Sequence, residues 1–295
     1  DLGSVLLIFF IGRGLFGKRT GLLASALTAC AVIQIQQSHF FTFDTFVGFF
    51  LLAAFLFAIR IWQRPRAYDY PLLGASLGMA MACKINSAAF AVVVAIVAFK
   101  QMRDVTLAFP NRRTGEWLAV VGRFSAAALT ALLVFRVVEP YAFSGPGFFN
   151  IGLNTRFLGD LGFVQKLVSG EIDQPPSVQW ANTPAYIFPL RNLVLWGMGL
   201  PLGIAGWLGL LFSAHRMVAR RDPKYLLLVA WVTFFFLYQG GQFAKTMRYF
   251  LPIVPLLALT GAHMLIEGLD WARRRARSGA GAGLATYAAP LAIFL

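Results

Sequence analysis

The polar segment at residues 37–45 (QSHFFTFDT) carries the side chains best suited to chemistry in a strongly apolar part of the chain. It lies between two apolar runs, at 21–33 and 46–61, and contains one carboxylate, Asp44. An acidic residue at the mouth of a membrane helix is costly unless it binds something. Asp44 is therefore predicted to face an aqueous cavity as an acid–base group or a metal ligand. Capping of the helix that follows is the structural alternative.

His39 lies five residues before Asp44 in the same segment. Its imidazole could bind a metal ion or share a proton with the carboxylate, and an ordinary interfacial position is the alternative. One histidine and one aspartate do not complete a metal site. The cofactor prediction is therefore limited to an unspecified divalent metal ion held by His39 and Asp44. Gln37 is a further candidate in this segment.

Three cations are candidates for binding a phosphate group. Lys84 separates two apolar runs, and Lys245 and Arg248 precede a third with a spacing of three residues. That spacing could place both on one face of a helix, where they could bind phosphate. Snorkelling and interfacial anchoring are the alternatives. Glu139 directly follows an apolar run, and we predict that it faces the same cavity.

The composition indicates an all-α membrane protein. Of the 295 residues, 58% are hydrophobic and 13% are charged, whereas a soluble domain carries about a quarter charged residues. A soluble enzyme is therefore excluded. The net charge of +14 could suggest nucleic acid. However, the basic residues cluster between apolar runs, as in cytoplasmic loops, so no nucleic-acid partner is predicted.

Apolar runs predict a polytopic bundle of about nine to ten transmembrane helices. The predicted spans are 2–16, 21–37, 45–61, 71–83, 87–99, 117–138, 192–212, 225–238, 249–267 and 281–295. The spans at 71–83 and 87–99 are shorter than the roughly 20 residues of a full crossing. They could be two tilted helices or one re-entrant pair around Lys84.

The distribution of basic residues among the loops predicts the orientation of the chain in the membrane. Basic clusters on alternate loops mark one side as cytoplasmic by the positive-inside rule; they lie at 13–19, 60–66, 100–123, 216–224 and 273–277. The segment 37–45 and the long loop 139–191 are then extracytoplasmic, and a short interfacial helix is predicted at 157–168. Residues 1–295 are predicted to form a single transmembrane domain. Because the chain starts and stops inside apolar runs, this domain is predicted to be truncated at both ends.

Several motifs in order resemble those of GT-C-type membrane glycosyltransferases that use polyprenyl-phosphate sugars. These are relatives of the protein O-mannosyltransferases and aminoarabinose transferases. The matching stretches are 12–24 (GRGLFGKRTGLLA), the Asp44 helix entrance, 74–84 (GASLGMAMACK) and 248–252 (RYFLP). The details at 37–45 and at 192–199 (NLVLWGMG) are most similar to the "YYY" membrane-protein branch of bacteria and archaea.

The resemblance implies an inverting glycosyltransferase of the hexosyltransferase type, in the plasma (inner) membrane of a prokaryote. It would move a sugar from a polyprenyl-phosphate carrier to an acceptor on the extracytoplasmic face. The main catalytic aspartate of such relatives lies in the first external loop, which this sequence would lack. Asp44 would match the second acidic position, near the donor phosphate or a metal. Lys84 and Arg248 would match basic positions near the lipid phosphate.

Two other functions are compatible with the same residues. A transporter or flippase for a lipid-linked or anionic solute also needs intramembrane charges, and it would be marked by an inverted repeat, which the sequence does not contain. A structural membrane protein would use the polar groups only to cap helices. It predicts that alanine at Asp44, Lys84 or Arg248 changes stability alone.

Overall fold

The chain folds into α-helices joined by short 3-10 turns in the computed structural model. The structure describes residues 1–109, 113–145, 147, 150–172 and 175–277. The helices are α1 Leu2–Phe16, α2 Lys18–Ala29, α3 Val32–His39, α4 Phe43–Gln63, α5 Asp69–Cys83, α6 Ala91–Ala108, α7 Arg113–Val138, α8 Thr155–Ser169, α9 Pro175–Val178, α10 Ile187–Asn192, α11 Leu200–Ala219, α12 Leu226–Gly240 and α13 Val254–Arg277. The predicted all-α fold is confirmed.

Within these described ranges, five helices are long and apolar enough to cross a membrane. They are Phe43–Gln63, Ile85–Ala108, Thr114–Val138, Leu200–Ala219 and Met247–Arg277. The predicted spans at 2–16, 21–37, 71–83 and 225–238 form shorter helices. The predicted span at 281–295 lies outside the described residues.

The predicted short spans around Lys84 form two separate helices. Helix α5 ends at Cys83, Lys84 is extended with φ −161°, and a 3-10 turn over Ile85–Phe90 continues into α6. The second helix therefore runs to Ala108, nine residues beyond the predicted end at 99. This continuation brings its length to 24 residues.

Two predicted spans are interrupted, which corrects the sequence-based boundaries. The span at 21–37 breaks between α2 and α3, where the Ala31 N–H donates to Thr28 O and the Gln34 N–H donates to Ala31 O. The span at 192–212 breaks before α11, where Gly199 has φ +83° and a proline lies in the first turn. A left-handed glycine followed by proline ends one helix and starts another, because proline cannot donate an N–H to the preceding turn.

The chain divides into two compact units. The first contains Asp1–Gln36, Leu193–Val229 and the described residues from Val254 onwards. Here α11 crosses α13 at small residues: a Cβ at Gly209 would overlap the Thr260 backbone, and the Thr260 hydroxyl donates to Gly206 O at 2.9 Å. Close approach of two helix backbones at glycines is typical of membrane bundles.

The second unit contains Gln37–Asn192 and Ala230–Ile253. Helices α4, α5 and α7 form its centre, and Gly74 of α5 packs so closely that a Cβ there would overlap Ala127 O of α7. A 3-10 turn over Met247–Ile253 packs against α4. All the candidate site residues belong to this unit. The predicted single domain over 1–295 stays a prediction.

The loop at 139–191 contains a helix where the sequence predicted one. Asn154 accepts a hydrogen bond from the Arg156 N–H at the start of α8, and Gly170 ends the helix with φ +85°. Its far end is held by the Phe243 and Ala244 N–H groups, which both donate to Val168 O. Helix α8 is therefore fixed at the segment that also leads to Arg248. The extracytoplasmic position of the loop stays a prediction.

Candidate active site

Asp44 lies in the first turn of α4. The N-cap position is Thr42, and its hydroxyl donates to Gln37 Oε1 at 3.0 Å. The capping alternative for Asp44 is therefore wrong as its sole role, because its carboxylate points to cations on other segments. The start of a helix favours a negative charge, which helps to stabilise this buried carboxylate. The side chain of Asp44 is only 3% exposed.

Lys84 provides the closest cation. Its Nζ lies 3.1 Å from Asp44 Oδ1 and donates a hydrogen bond to it. The same Nζ lies 3.6 Å from the centre of the Tyr249 ring and 5.6 Å from that of Phe43. A cation over an aromatic face is stabilised electrostatically, most strongly where water is excluded. These contacts hold the ammonium in a defined place between two helices.

Arg248 provides the second cation. It lies in the 3-10 turn over Met247–Ile253, and its Nε is 3.7 Å from Asp44 Oδ2. The two atoms form an ion pair but no hydrogen bond, and Oδ2 has no hydrogen-bond donor among the described residues. The Arg248 side chain is 43% exposed. Its guanidinium therefore keeps donors available for a further anion.

The three charges leave an excess of one positive charge in this group, which we call the Asp44 cluster (Asp44, Lys84 and Arg248). Burial lowers the pKa of Lys84 below its ordinary value, the nearby Asp44 carboxylate acts in the opposite direction, and Arg248 lowers it further. The charge of an anion that approached Lys84 would offset both the cost of burial and the repulsion by Arg248. The arrangement can therefore bind one phosphate without displacing Asp44.

A cavity of about 480 Å³ adjoins the cluster. Lys84, Asn86, Gln239, Gln242 and Tyr249 line it, and Leu161, Val164 and Val168 of α8 form a further wall that is partly exposed. Its size is that of a small-molecule site. Lys84 is the charged side chain among the described residues that line it.

Lys245 is not part of the Asp44 cluster. Its Nζ donates to Phe243 O at 3.2 Å, and the side chain is buried. The predicted shared face with Arg248 is absent because the 3-10 turn begins at Met247, after Lys245. Burial lowers the pKa of Lys245 below its usual value.

The other predicted residues lie apart from the cluster. His39 is exposed at the end of α3 and contacts the Phe40 ring edge to face, with no hydrogen bond to a described residue. Gln37 is buried and accepts from Thr42. Glu139 is half-buried at the end of α7, where its backbone N–H donates to Phe135 O.

The described residues contain no group of three or more His, Cys, Asp and Glu side chains that could hold a metal ion. Asp44 faces two cations, with which a dication would have to compete. The metal prediction for His39 and Asp44 stays a prediction, because no third such ligand joins them among the described residues.

Apart from Lys84, sequence reasoning did not single out the residues that line the cavity. Tyr249 was noted only as a neighbour of Arg248, and Asn86, Gln239 and Gln242 carry no pattern that marks a site. The pair Gln239 and Gln242, at a loop between two apolar helices, was the available signal. Its meaning depended on the position of α8, which the sequence does not specify.

Comparisons with known proteins agree with this architecture. Residues 2–141 match the family model of dolichyl-phosphate-mannose-protein mannosyltransferases. The solved oligosaccharyltransferase of Archaeoglobus fulgidus is similar in fold. Its apo form has a TM-score of 0.57 at 20% identity, over 99% of this chain and 42% of that one. A search of curated protein sequences found no match.

Two further structures of the same archaeal enzyme give similar values. The complex with an inhibitory peptide and a dolichol-phosphate has a TM-score of 0.56 at 18% identity, and covers 99% of this chain and 42% of that one. The form tethered to an acceptor peptide with an NVT sequon has a TM-score of 0.59 at 20% identity, and covers 99% of this chain and 41% of that one. This chain thus spans less than half the length of these structures. The resemblance to the GT-C type is confirmed: the chain has the fold of a GT-C-type membrane glycosyltransferase, and residues 2–141 match the mannosyltransferase family.

Proposed function

We propose that this chain is the membrane part of a glycosyltransferase that takes a sugar from a polyprenyl-phosphate carrier. The observation that carries the proposal is the Asp44 cluster, in which one buried carboxylate holds two cations beside a cavity. The family match over residues 2–141 supports the reaction class. The dolichol-phosphate in the complex of the archaeal relative supports the class of donor.

Lys84 and Arg248 would bind the phosphate that leaves. As the bond between the sugar and the phosphate breaks, negative charge grows on the phosphate oxygens, and preorganised cations stabilise that charge. An ammonium has three donors and a guanidinium has five, so both can bind phosphate while they still face Asp44. Asp44 first acts as a positioning residue for these cations.

The reaction would be a single displacement with inversion at the anomeric carbon. A bond forms between the acceptor atom and that carbon, and the bond from the carbon to the phosphate oxygen breaks. The acceptor proton goes to a base on the face of the sugar opposite the leaving phosphate, whereas Asp44 lies beside the cations that bind the phosphate and positions them. The acceptor of the archaeal relative, a peptide with an NVT sequon, favours a polypeptide acceptor here. The site would lie on the extracytoplasmic face.

Sugar transfer by the full chain in nanodiscs tests the proposal. Lys84→Met should lower the transfer rate on the order of 100-fold, since it removes a preorganised cation. Lys100→Met is the matched control, because both lysine side chains are 21% exposed and each donates to an aspartate. Equal activity of the two variants would contradict the proposal. Movement of polyprenyl phosphate across the bilayer of proteoliposomes without sugar transfer would instead support a flippase.

A further inference from the structure

A second cavity lies between α2 and α13, which pack against each other within the first unit. Its volume is about 510 Å³, the size of a ligand site. The described residues that line it are partly charged and partly apolar: Arg19, Asp270 and Arg273, and Leu22, Leu23, Ala26, Ile266 and Leu269. We call this cavity the α2–α13 groove. None of these residues belongs to the Asp44 cluster.

The charged residues of the α2–α13 groove lie together at one end of it. Arg19 is the second residue of α2, and Asp270 and Arg273 lie near the end of α13. Arg19 Nη1 and Arg273 Nη1 are 3.7 and 3.9 Å from the same oxygen, Asp270 Oδ1. Both distances are too long for hydrogen bonds. The two guanidinium groups therefore share one carboxylate and keep their N–H donors available for an anion.

The surroundings of this charged end do not cancel its excess positive charge. The other carboxylate of α13, Glu267, pairs with Arg216 of α11 at 3.0 Å. Three further arginines, at 274, 275 and 277, follow Arg273 along the same helix. The sequence at 278–295 contains no acidic side chain, so none of those side chains can provide the missing negative charge. The charged end is therefore complementary to an anion from outside the chain.

The rest of the α2–α13 groove is apolar and open on one side. Leu22 and Ala26 are exposed, and Leu23, Ile266 and Leu269 are half-buried. Arginines at the end of a membrane helix reach the headgroup layer, and exposed apolar side chains below them contact acyl chains. A soluble anion would gain nothing from the apolar wall. A molecule that joins a phosphate to an acyl chain matches both parts.

We propose that the α2–α13 groove binds an anionic phospholipid, with its phosphate at Arg19 and Arg273 and an acyl chain along Leu22, Ala26 and Leu269. The inference goes beyond the proposed glycosyltransferase function and does not depend on it, since the Asp44 cluster takes no part. It predicts a preference for phosphatidylglycerol over phosphatidylcholine with the same chains. The two lipids differ in the net charge of the headgroup, which the excess arginine recognises.

Native mass spectrometry of the full chain tests the charged end of the groove. The protein is extracted from bilayers that contain equal amounts of the two lipids, and retained phosphatidylglycerol should exceed retained phosphatidylcholine. The double variant Arg19→Gln, Arg273→Gln should lower the retained phosphatidylglycerol about tenfold, because it removes charge-assisted contacts to phosphate. Both side chains are more than half exposed, so the fold should be little affected.

The matched control is the double variant Lys18→Gln, Arg274→Gln. These residues are the chain neighbours of Arg19 and Arg273, are exposed, and do not line the groove. The control removes the same charge from the same ends of the two helices. It should change lipid retention less than about twofold, because exposed charges without a contact to the phosphate are screened. An equal loss in both double variants would mean general attraction to a basic surface and would overturn the proposal.

A second pair of variants tests the apolar part of the groove. Ala26→Trp fills it and keeps both arginines, so it should lower phosphatidylglycerol retention, whereas Ala29→Trp, exposed on α2 outside the lining, should not. Unchanged retention in Ala26→Trp, or displacement of the lipid by millimolar glycerol phosphate, would show a site for a phosphate group alone and would overturn the lipid groove. If the wild type retains no phosphatidylglycerol, or retains both lipids equally, the proposal also fails. None of these readouts depends on sugar transfer.

Discussion

At both the first and the last turn of α4, a buried aspartate pairs with basic side chains. In the first turn, Asp44 pairs with Lys84 and Arg248 from other segments. In the last turn, Arg60 Nε lies 2.9 Å from Asp69 Oδ1 of α5. Both aspartates are almost completely buried, with side-chain exposures of 3% and 0%.

The two pairs differ in what surrounds them. The Arg60 pair is closed by Tyr68, whose hydroxyl accepts from Arg60 at 3.1 Å and from Arg66 at 2.6 Å, and whose ring lies under both cations. In both places two cations surround one buried carboxylate, and both oxygens of Asp69, like Oδ2 of Asp44, have no hydrogen-bond donor among the described residues. The difference is that Lys84 lines a cavity. A cation beside an open volume is suited to bind a ligand, whereas the Arg60–Asp69 pair is expected to contribute to the fold.

The largest expected effect is a loss of stability at the Arg60–Asp69 pair. Arg60→Met leaves the Asp69 carboxylate buried without its nearest cation, which should lower the free energy of unfolding by about 3 kcal/mol. Thermal and denaturant unfolding in detergent measure this loss, and the transfer rate per folded molecule should not change. Arg103→Met, at an exposed pair with Asp104, is the control and should cost less than about 1 kcal/mol. A loss of transfer in folded Arg60→Met would remove the distinction between the two pairs.

Asp44→Asn should lower the transfer rate strongly and the stability only slightly, the reverse of Arg60→Met. Transfer should fall on the order of 100-fold, because Lys84 and Arg248 lose the group that positions them. Expression should be unchanged, and the melting temperature should fall less than in Arg60→Met, because the cations adjoin a cavity. Rates and melting curves on the same preparation measure both effects. Full transfer activity in this variant would exclude Asp44 from the mechanism.

Arg248→Gln should weaken the binding of the lipid donor and change little else. Because its side chain is 43% exposed, the stability should change little. Loss of a charge-assisted contact to phosphate should raise the KM for the lipid donor about tenfold. Steady-state kinetics at varied donor concentration measure this change. A fall in kcat with an unchanged KM would contradict a binding role.

The smallest effect concerns pH. Burial lowers the pKa of Lys84 below the ordinary 10.5, so this lysine loses its proton, and with it the phosphate, at a lower pH than an exposed lysine. The affinity for polyprenyl phosphate should therefore fall as the pH rises towards 10.5. Lys84→Arg should remove that fall, since arginine stays protonated. Binding curves between neutral and alkaline pH distinguish the two proteins, and identical curves would contradict the prediction.

The stability contribution of Lys84 changes with pH in the opposite direction to the phosphate affinity. Between the lowered pKa of Lys84 and its ordinary value, the unfolded chain binds a proton that the folded chain does not. The stability contribution of this group therefore rises with pH in that window. A loss of binding at alkaline pH is thus distinct from unfolding that arises at Lys84.

Local sequence determined most of the helices and the identity of the charged residues. Apolar length predicts α4 and α7 well, because an apolar segment long enough to cross a bilayer must satisfy its backbone hydrogen bonds internally, which a helix does. The break before α11 was missed, since hydropathy does not register the positive φ of Gly199. The break before α3 was missed because it falls at Cys30 and Ala31, where no glycine or proline marks it. The long polar loop was predicted to contain a helix at 157–168, and α8 spans Thr155–Ser169.

By itself, the sequence determined that an aspartate and several cations lie near the ends of apolar helices. Only the tertiary structure decided which of them meet: Lys84, forty residues away, and Arg248 reach Asp44, whereas Lys245 does not. It also placed Gln239 and Tyr249 beside a cavity that α8 lines. The reason is physical. Helix formation follows from neighbours in the chain, whereas the distance between two side chains on different helices depends on how those helices pack.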